Sequence, residues 1–235
     1  MRKLSRRMAI LWALAAVALG LAGCGEEAAQ RKAFIEFLQA RIIDKPGLHI
    51  PIMSADDIAK FGPYADHYRV MSDFHHRLDT AISQDLARAM QIGSPRSLQE
   101  LVEHRDLLPI LRTSMAAMQV ELDKSEAEAG AARKALQQPP DLKAVYDVAY
   151  ARMVTKPAAV FRELFPLMLN GLPVLEELAN YIAEHRNVIE FRGDMPFTAN
   201  AEVRAKLAAL IQAAAQVAQA SEEGKRKLRA MVEGN

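Results

Sequence analysis

Two long stretches of regularly spaced apolar residues constrain this chain more than any other feature. His104, Leu108, Leu111, Met115, Met118, Leu122, Ser125, Ala129, Ala132 and Leu136 recur at alternating intervals of four and three. Val203, Leu207, Leu210, Ala214, Val217, Ser221, Gly224, Leu228 and Met231 repeat the same rhythm near the C-terminus. That spacing is the seam of a coiled coil or long bundle helix. A stripe of this kind is stable in water only against other helices.

The remaining segments read the same way. Phe34, Phe37, Leu38 and Ile42 share one face of a helix over 28–43, and Pro46-Gly47 ends it. Ser54 and Asp57 resemble a capping box opening a short helix that stops at Phe61-Gly62. Pro63 suits the first turn of a helix to about Ile92, with Tyr64, Tyr68, Met71, Phe74, Leu78, Ile82, Leu86 and Ala89 on its stripe. Gly93-Ser94-Pro95 is a stop and a restart, and Pro109 predicts a kink or a fresh start within the first seam. Pro139-Pro140 ends that seam, Asp141 caps residues 142–154, and Thr155-Lys156-Pro157 marks a further boundary. A helix over 157–185 carries Phe161, Leu164, Phe165, Met168, Leu172, Leu175, Ala179 and Ile182; Pro166 and Pro173 are expected to bend or split it. Residues 187–198 alternate around Gly193-Asp194 and fit either a small hairpin, with Pro196 weakening its second strand, or an irregular loop. Gly224 and the charged run 222–229 are expected to weaken the end of the last helix. The expected fold is an all-α elongated bundle of roughly five to seven helices in a single domain over 30–235.

The N-terminus carries an address. Arg2, Lys3, Arg6 and Arg7 precede an uncharged apolar run from Met8 to Gly20, and Leu21-Ala22-Gly23 leads into Cys24, the only cysteine. This is the layout of an export signal of the lipoprotein class: residues 1–23 are removed and Cys24 takes the lipid. The apolar run is shorter than the roughly 20 residues that span a bilayer. Residues 24–29 are expected to be a short tether. Several acyl chains on one cysteine make an effectively permanent anchor. Gly25 follows Cys24 where an aspartate would argue for inner-membrane retention, so the expected place is the outer membrane with the body facing the periplasm.

The leader holds four of the 30 basic residues and none of the 29 acidic ones, which leaves the mature body a net charge of −3. A slightly acidic body argues against nucleic acid and against adhesion to anionic lipid through charge alone. With Cys24 lipidated, no thiol remains for disulfides or thiol chemistry.

Candidate chemistry is sparse. Asp73, His75, His76 and Asp79 are the best metal candidates, since Asp73 with His76 and His75 with Asp79 converge at helical spacing. The two pairs point in different directions, and solvated helix surface is the simpler reading. Tyr64, Tyr68, Tyr146, Tyr150 and Tyr181 would line a ligand cavity between helices, or else be ordinary core. Glu176-Glu177 and the acidic residues of 121–128 lack partners for general-base work and read as solvated faces. The methionines read as gap fillers in the seams. Phosphate-binding glycine loops, nucleophile elbows and zinc-protease helices are absent from the sequence, so neither an enzyme nor a cofactor is expected.

Three segments together resemble a known family: Gln30 to Gln39 just after the cysteine; Phe61-Gly62-Pro63-Tyr64 with Asp66 and Tyr68; and Asp141-Leu142-Lys143 with Val145, Asp147, Ala149 and Thr155-Lys156-Pro157-Ala158. They resemble the YiaF-like lipoproteins of Gram-negative bacteria, the family called domain of unknown function 3053. The resemblance implies a lipoprotein of uncharacterised role and supplies no catalytic residues. The leading expectation is therefore a membrane-anchored interaction or envelope-assembly module that docks an envelope protein or a second copy. The alternative is a carrier for a lipid or other apolar ligand held between helices.

Overall fold

The computed structural model describes residues 25–81 and 97–234. Helix α1 covers residues 25–38 and runs on through a π turn, Gln39–Ile43. It begins inside the stretch expected to be a tether. Glu26 and Glu27 favour the positive end of the helix dipole and reach Gln30 and Arg31 one turn on. Helix α2 is Ala55–Phe61, opened by a full capping box: Ser54 Oγ accepts from Asp57 N at 3.1 Å, and Asp57 Oδ2 accepts from Ser54 N at 2.9 Å. Those hydrogen bonds to the ionised carboxylate hold Asp57 below its ordinary value. Helix α3 is Tyr64–Ala81, and the expected continuation to Ile92 lies outside the described residues.

A short helix α4, Leu98–Glu103, precedes α5, Leu107–Ala135. Pro109 sits in the first turn of α5, where its missing N–H costs nothing, so it marks the fresh start. Of the expected seam, Leu108, Met115, Leu122, Ser125 and Ala129 are buried. Helix α6, Pro140–Tyr150, passes through a second π turn, Ala151–Thr155, into α7, Lys156–Glu184. Together these make one helical spine of 45 residues. The spine departs from expectation in its continuity. Thr155-Lys156-Pro157 is not a break, because the wider turn lets Lys156 N–H pair across it with Ala151 O. Pro166 and Pro173 do not split α7; both lie on its exposed side.

The hairpin reading of 187–198 is the observed one. Strands β1, Glu190–Arg192, and β2, Met195–Phe197, pair antiparallel around Gly193-Asp194. Pro196 faces Phe191 one rung beyond the pair that closes the turn. At that non-hydrogen-bonded rung a missing N–H breaks no ladder bond. Arg192 lies over the Phe197 ring, 3.5 Å from its centroid. Helix α8, Ala201–Glu233, is capped by Asn200, whose side chain accepts from Glu202 N and Val203 N.

The ion pairs fix the directions of the helices. Along the spine, α5 runs antiparallel, with Arg133 on Asp147, Asp123 and Glu126 on Arg162, and Arg112 on Glu176. Helix α8 is also antiparallel, with Lys206 on Glu177 and Lys227 on Glu163. Helices α1 and α3 run parallel to the spine: Arg31 meets Asp141, and Tyr146 donates to His67 O. Glycines set the close α7–α8 approach. A Cβ at Gly171 would lie 2.6 Å from Val217 Cγ1, and one at Gly224 would lie 3.1 Å from Leu164 Cδ2. Gly224 is thus a buried packing seat of the last helix.

Two apolar cores are strung along the spine. The first gathers α1, α2, α3, the C-terminal half of α5 and α6, around Phe34, Phe61, Tyr68, Phe74, Leu122 and Tyr146. The second gathers α4, the start of α5, the end of α7, the hairpin and the start of α8, around Leu108, Leu178, Ile182 and Leu207. Length and composition alone would let the spine helix cross a membrane, but charged residues pair it with α5 and α8 along its length.

Candidate functional site

Pro157 explains the most unusual local feature. It has no N–H, so the carbonyl four residues earlier, at Met153, loses its helical partner. Met153 is fully buried, and its free carbonyl must be satisfied. His75 does so: its Nε2 lies 2.6 Å from Met153 O, and the carbonyl can only accept, so Nε2 carries the proton. The same logic recurs. The Tyr68 hydroxyl donates to Pro51 O, and Tyr146 donates to His67 O. Arg152 donates to Ile43 O, the last carbonyl of the first π turn, and, at 2.7 Å, to Lys45 O just beyond it.

These contacts decide the sequence candidates. His75 is committed to the backbone of α6, while Asp73, His76 and Asp79 lie exposed on α3. No group of three or more His, Cys, Asp or Glu residues comes together among the described residues. Tyr64, Tyr68, Tyr146 and Tyr150 are core, packed with Phe34, Phe37 and Phe61. Tyr181 stacks on His185 at 4.2 Å. Burial, then the Glu27 carboxylate that its hydroxyl meets, pushes Tyr64 up to about 12. Glu177 pairs with Lys206 at 2.7 Å. The shielded Glu176 Oε1 has Arg112 Nε at 3.4 Å but no hydrogen bond. Cys24 lies outside the described residues.

Burial holds both His75 and His67 below the ordinary imidazole value. The unfolded chain therefore takes up these protons first on acidification. Stability from this source is intact above about pH 6.5 and falls as the pH drops below it. Urea midpoints at pH 7.5 and 5.5 should show that fall. His75→Phe should reduce the slope and cost about 1–3 kcal/mol at pH 7.5, because Met153 O loses its donor. An unchanged slope would mean that His75 is already charged in the folded protein.

Where the two π turns meet, the surface opens. Arg152, on the second π turn, bridges to the end of the first. The segment Pro46-Gly47-Leu48 then folds over the end of α8, with Leu48 N donating to Met231 O at 3.0 Å. Gly47 has φ +65°, and a Cβ there would lie 2.0 Å from Val232 O. Between this strap, the start of α7 and the end of α8 lies a cleft of about 570 Å³. Leu48, Ala159, Val160 and Met231 give it apolar walls, and Arg152, Lys156 and Lys227 give it positive charge. Among the described residues, no carboxylate lines it. Lys227 pairs with Glu163 at 2.8 Å, while Lys156 has no ion-pair partner among the described residues. Single π turns inside α-helices are frequent at functional sites. Sequence reasoning missed this place; the only signal was Pro157 with its neighbour Lys156.

A family described as proteins of unknown function, designated DUF3053, matches residues 11–228. The chain belongs to this family. It is 31% identical over 189 residues to the uncharacterized protein YiaF of Escherichia coli K12, covering 80% of this chain and 79% of that one. The YiaF of Shigella flexneri matches to the same extent. No solved structure matches. The three segments singled out in the sequence converge in space: Arg31 pairs with Asp141, and Phe34 packs on Phe61 and Tyr64.

Proposed function

We propose that this protein is a lipid-anchored helical module of the cell envelope, held in the outer membrane through Cys24 and facing the periplasm, that acts by holding a partner rather than by catalysis. The observation that carries this reading is the parallel placement of α1 and the spine. Arg31 on Asp141 sets the start of α1 beside the start of the spine. The chain just after Cys24 therefore sits at one tip, and the second core lies at the other. The spine is about 65 Å long at 1.5 Å per residue, so an anchored molecule would present its distal core well away from its own lipid. The commitment of His75, Tyr68 and Tyr146 to backbone carbonyls supports a scaffold rather than a reactive centre.

The test is Cys24→Ala, exported behind the signal of a soluble protein. The variant should move from the membrane fraction to the soluble periplasm. In-cell crosslinking and affinity purification should capture a defined envelope protein with the lipidated form only. Membrane retention of Cys24→Ala, or equal capture by both forms, would reject the anchored-module reading.

A further inference from the structure

We propose that the cleft between the strap 46–48, the start of α7 and the end of α8 binds one anionic amphiphile, with a phosphate-type head and an apolar tail. Its volume, about 570 Å³, is within the range of small-molecule sites, which runs from roughly 300 to 1,000 Å³. Its lining divides by chemistry. Leu48, Val160 and Met231 supply a surface for hydrocarbon, and Lys156 brings a free ammonium group to it, beside Lys227, which already pairs with Glu163. The third cation, Arg152, already donates to two carbonyls, which fixes its guanidinium in place beside the cleft. Lys156 is exposed and has no carboxylate partner among the described residues, so its charge is available to a ligand. An apolar cleft carrying fixed and free cations, with no acidic lining residue described, selects a negative head joined to an apolar body. A neutral hydrocarbon would leave Lys156 unused, and an inorganic anion would leave the walls wet.

This site stands whether or not the distal core holds a partner, and it is tested on its own. The lipidated full chain, in nanodiscs of phosphatidylcholine, is titrated with dihexanoylphosphatidylglycerol, dihexanoylphosphatidylcholine or inorganic phosphate. Hydrogen exchange is followed at residues 46–48 and 227–231. The phosphatidylglycerol should protect both segments saturably, and the phosphatidylcholine, whose choline cation offsets its phosphate charge beside Lys156, about tenfold more weakly. Lys156→Glu should weaken the anionic lipid by about tenfold or more with the melting midpoint unchanged. Val160→Trp fills the cleft without altering charge and should abolish the protection if the charge variant fails to fold. Equal protection by the two lipids, or none by the anionic one, would overturn the proposal. Inorganic phosphate acting as strongly as the lipid would overturn the apolar half of the assignment.

Discussion

Phe34→Ala should lower the unfolding free energy by about 3–5 kcal/mol, the cost of emptying a large aromatic site in a closed core. Phe34 has no exposed surface. Its ring centroid lies 5.4 Å from that of Phe61, 6.2 Å from Tyr64 and 6.5 Å from Phe37, so one truncation loosens α1, α2 and α3 together. Collapse into the gap is opposed because Tyr64 is held by Glu27, and Phe37 is backed by Tyr68, which is itself held by Pro51 O. Urea unfolding of the full chain at pH 7.5 measures the loss. Val120→Ala is the matched control, since Val120 is 69% exposed on α5 and should change stability by about 0.5 kcal/mol or less. A loss below about 1 kcal/mol for Phe34→Ala would mean that α1 is not docked on the bundle. The proposed anchor would then be connected to the body by a loose segment.

Hydrophobic spacing made most of the bundle legible. The intervals of four and three over 108–129 and 203–210 name side chains that are buried or, at Leu111 and Met118, half-buried, since a helix in a bundle has only one face to hide. The capping box at Ser54 and the turn at Gly193 were legible too, because each depends on residues close in sequence. What the pattern concealed was the conduct of the backbone. Pro157 looked like a terminator, but a π turn and an imidazole from α3 together keep the helix whole. Nothing local to His75 announces that role, because the carbonyl it serves lies 78 positions away in sequence. The cleft was hidden for the same reason: its walls are a loop after α1 and the last turns of α8, joined by a backbone bond from Leu48 to Met231. The candidate metal residues failed on geometry. Helical spacing placed Asp73 with His76 and His75 with Asp79, but the fold turns His75 inward and leaves the other three outside.

Gly47→Ala and Gly193→Ala separate two costs that a turn glycine can carry. Both positions have left-handed backbone, φ +65° and +62°. An alanine at either pays the left-handed penalty of about 1–2 kcal/mol. At Gly193 nothing lies within 4 Å of the added methyl, so that penalty is the whole effect. At Gly47 the methyl would meet Val232 O at 2.0 Å and Glu233 C at 2.8 Å, and both are backbone atoms that cannot rotate away. The end of α8 must move off the strap, which breaks the bond from Leu48 N to Met231 O and adds about 1–3 kcal/mol of overpacking cost. Gly47→Ala should therefore be the more destabilising of the two by that margin in urea. It should also speed hydrogen exchange at 227–234, where Gly193→Ala leaves exchange unchanged. Equal costs would show that the strap and the last turn of α8 do not touch in solution. The cleft would then lose the wall that gives it depth, and the amphiphile assignment would fail with it.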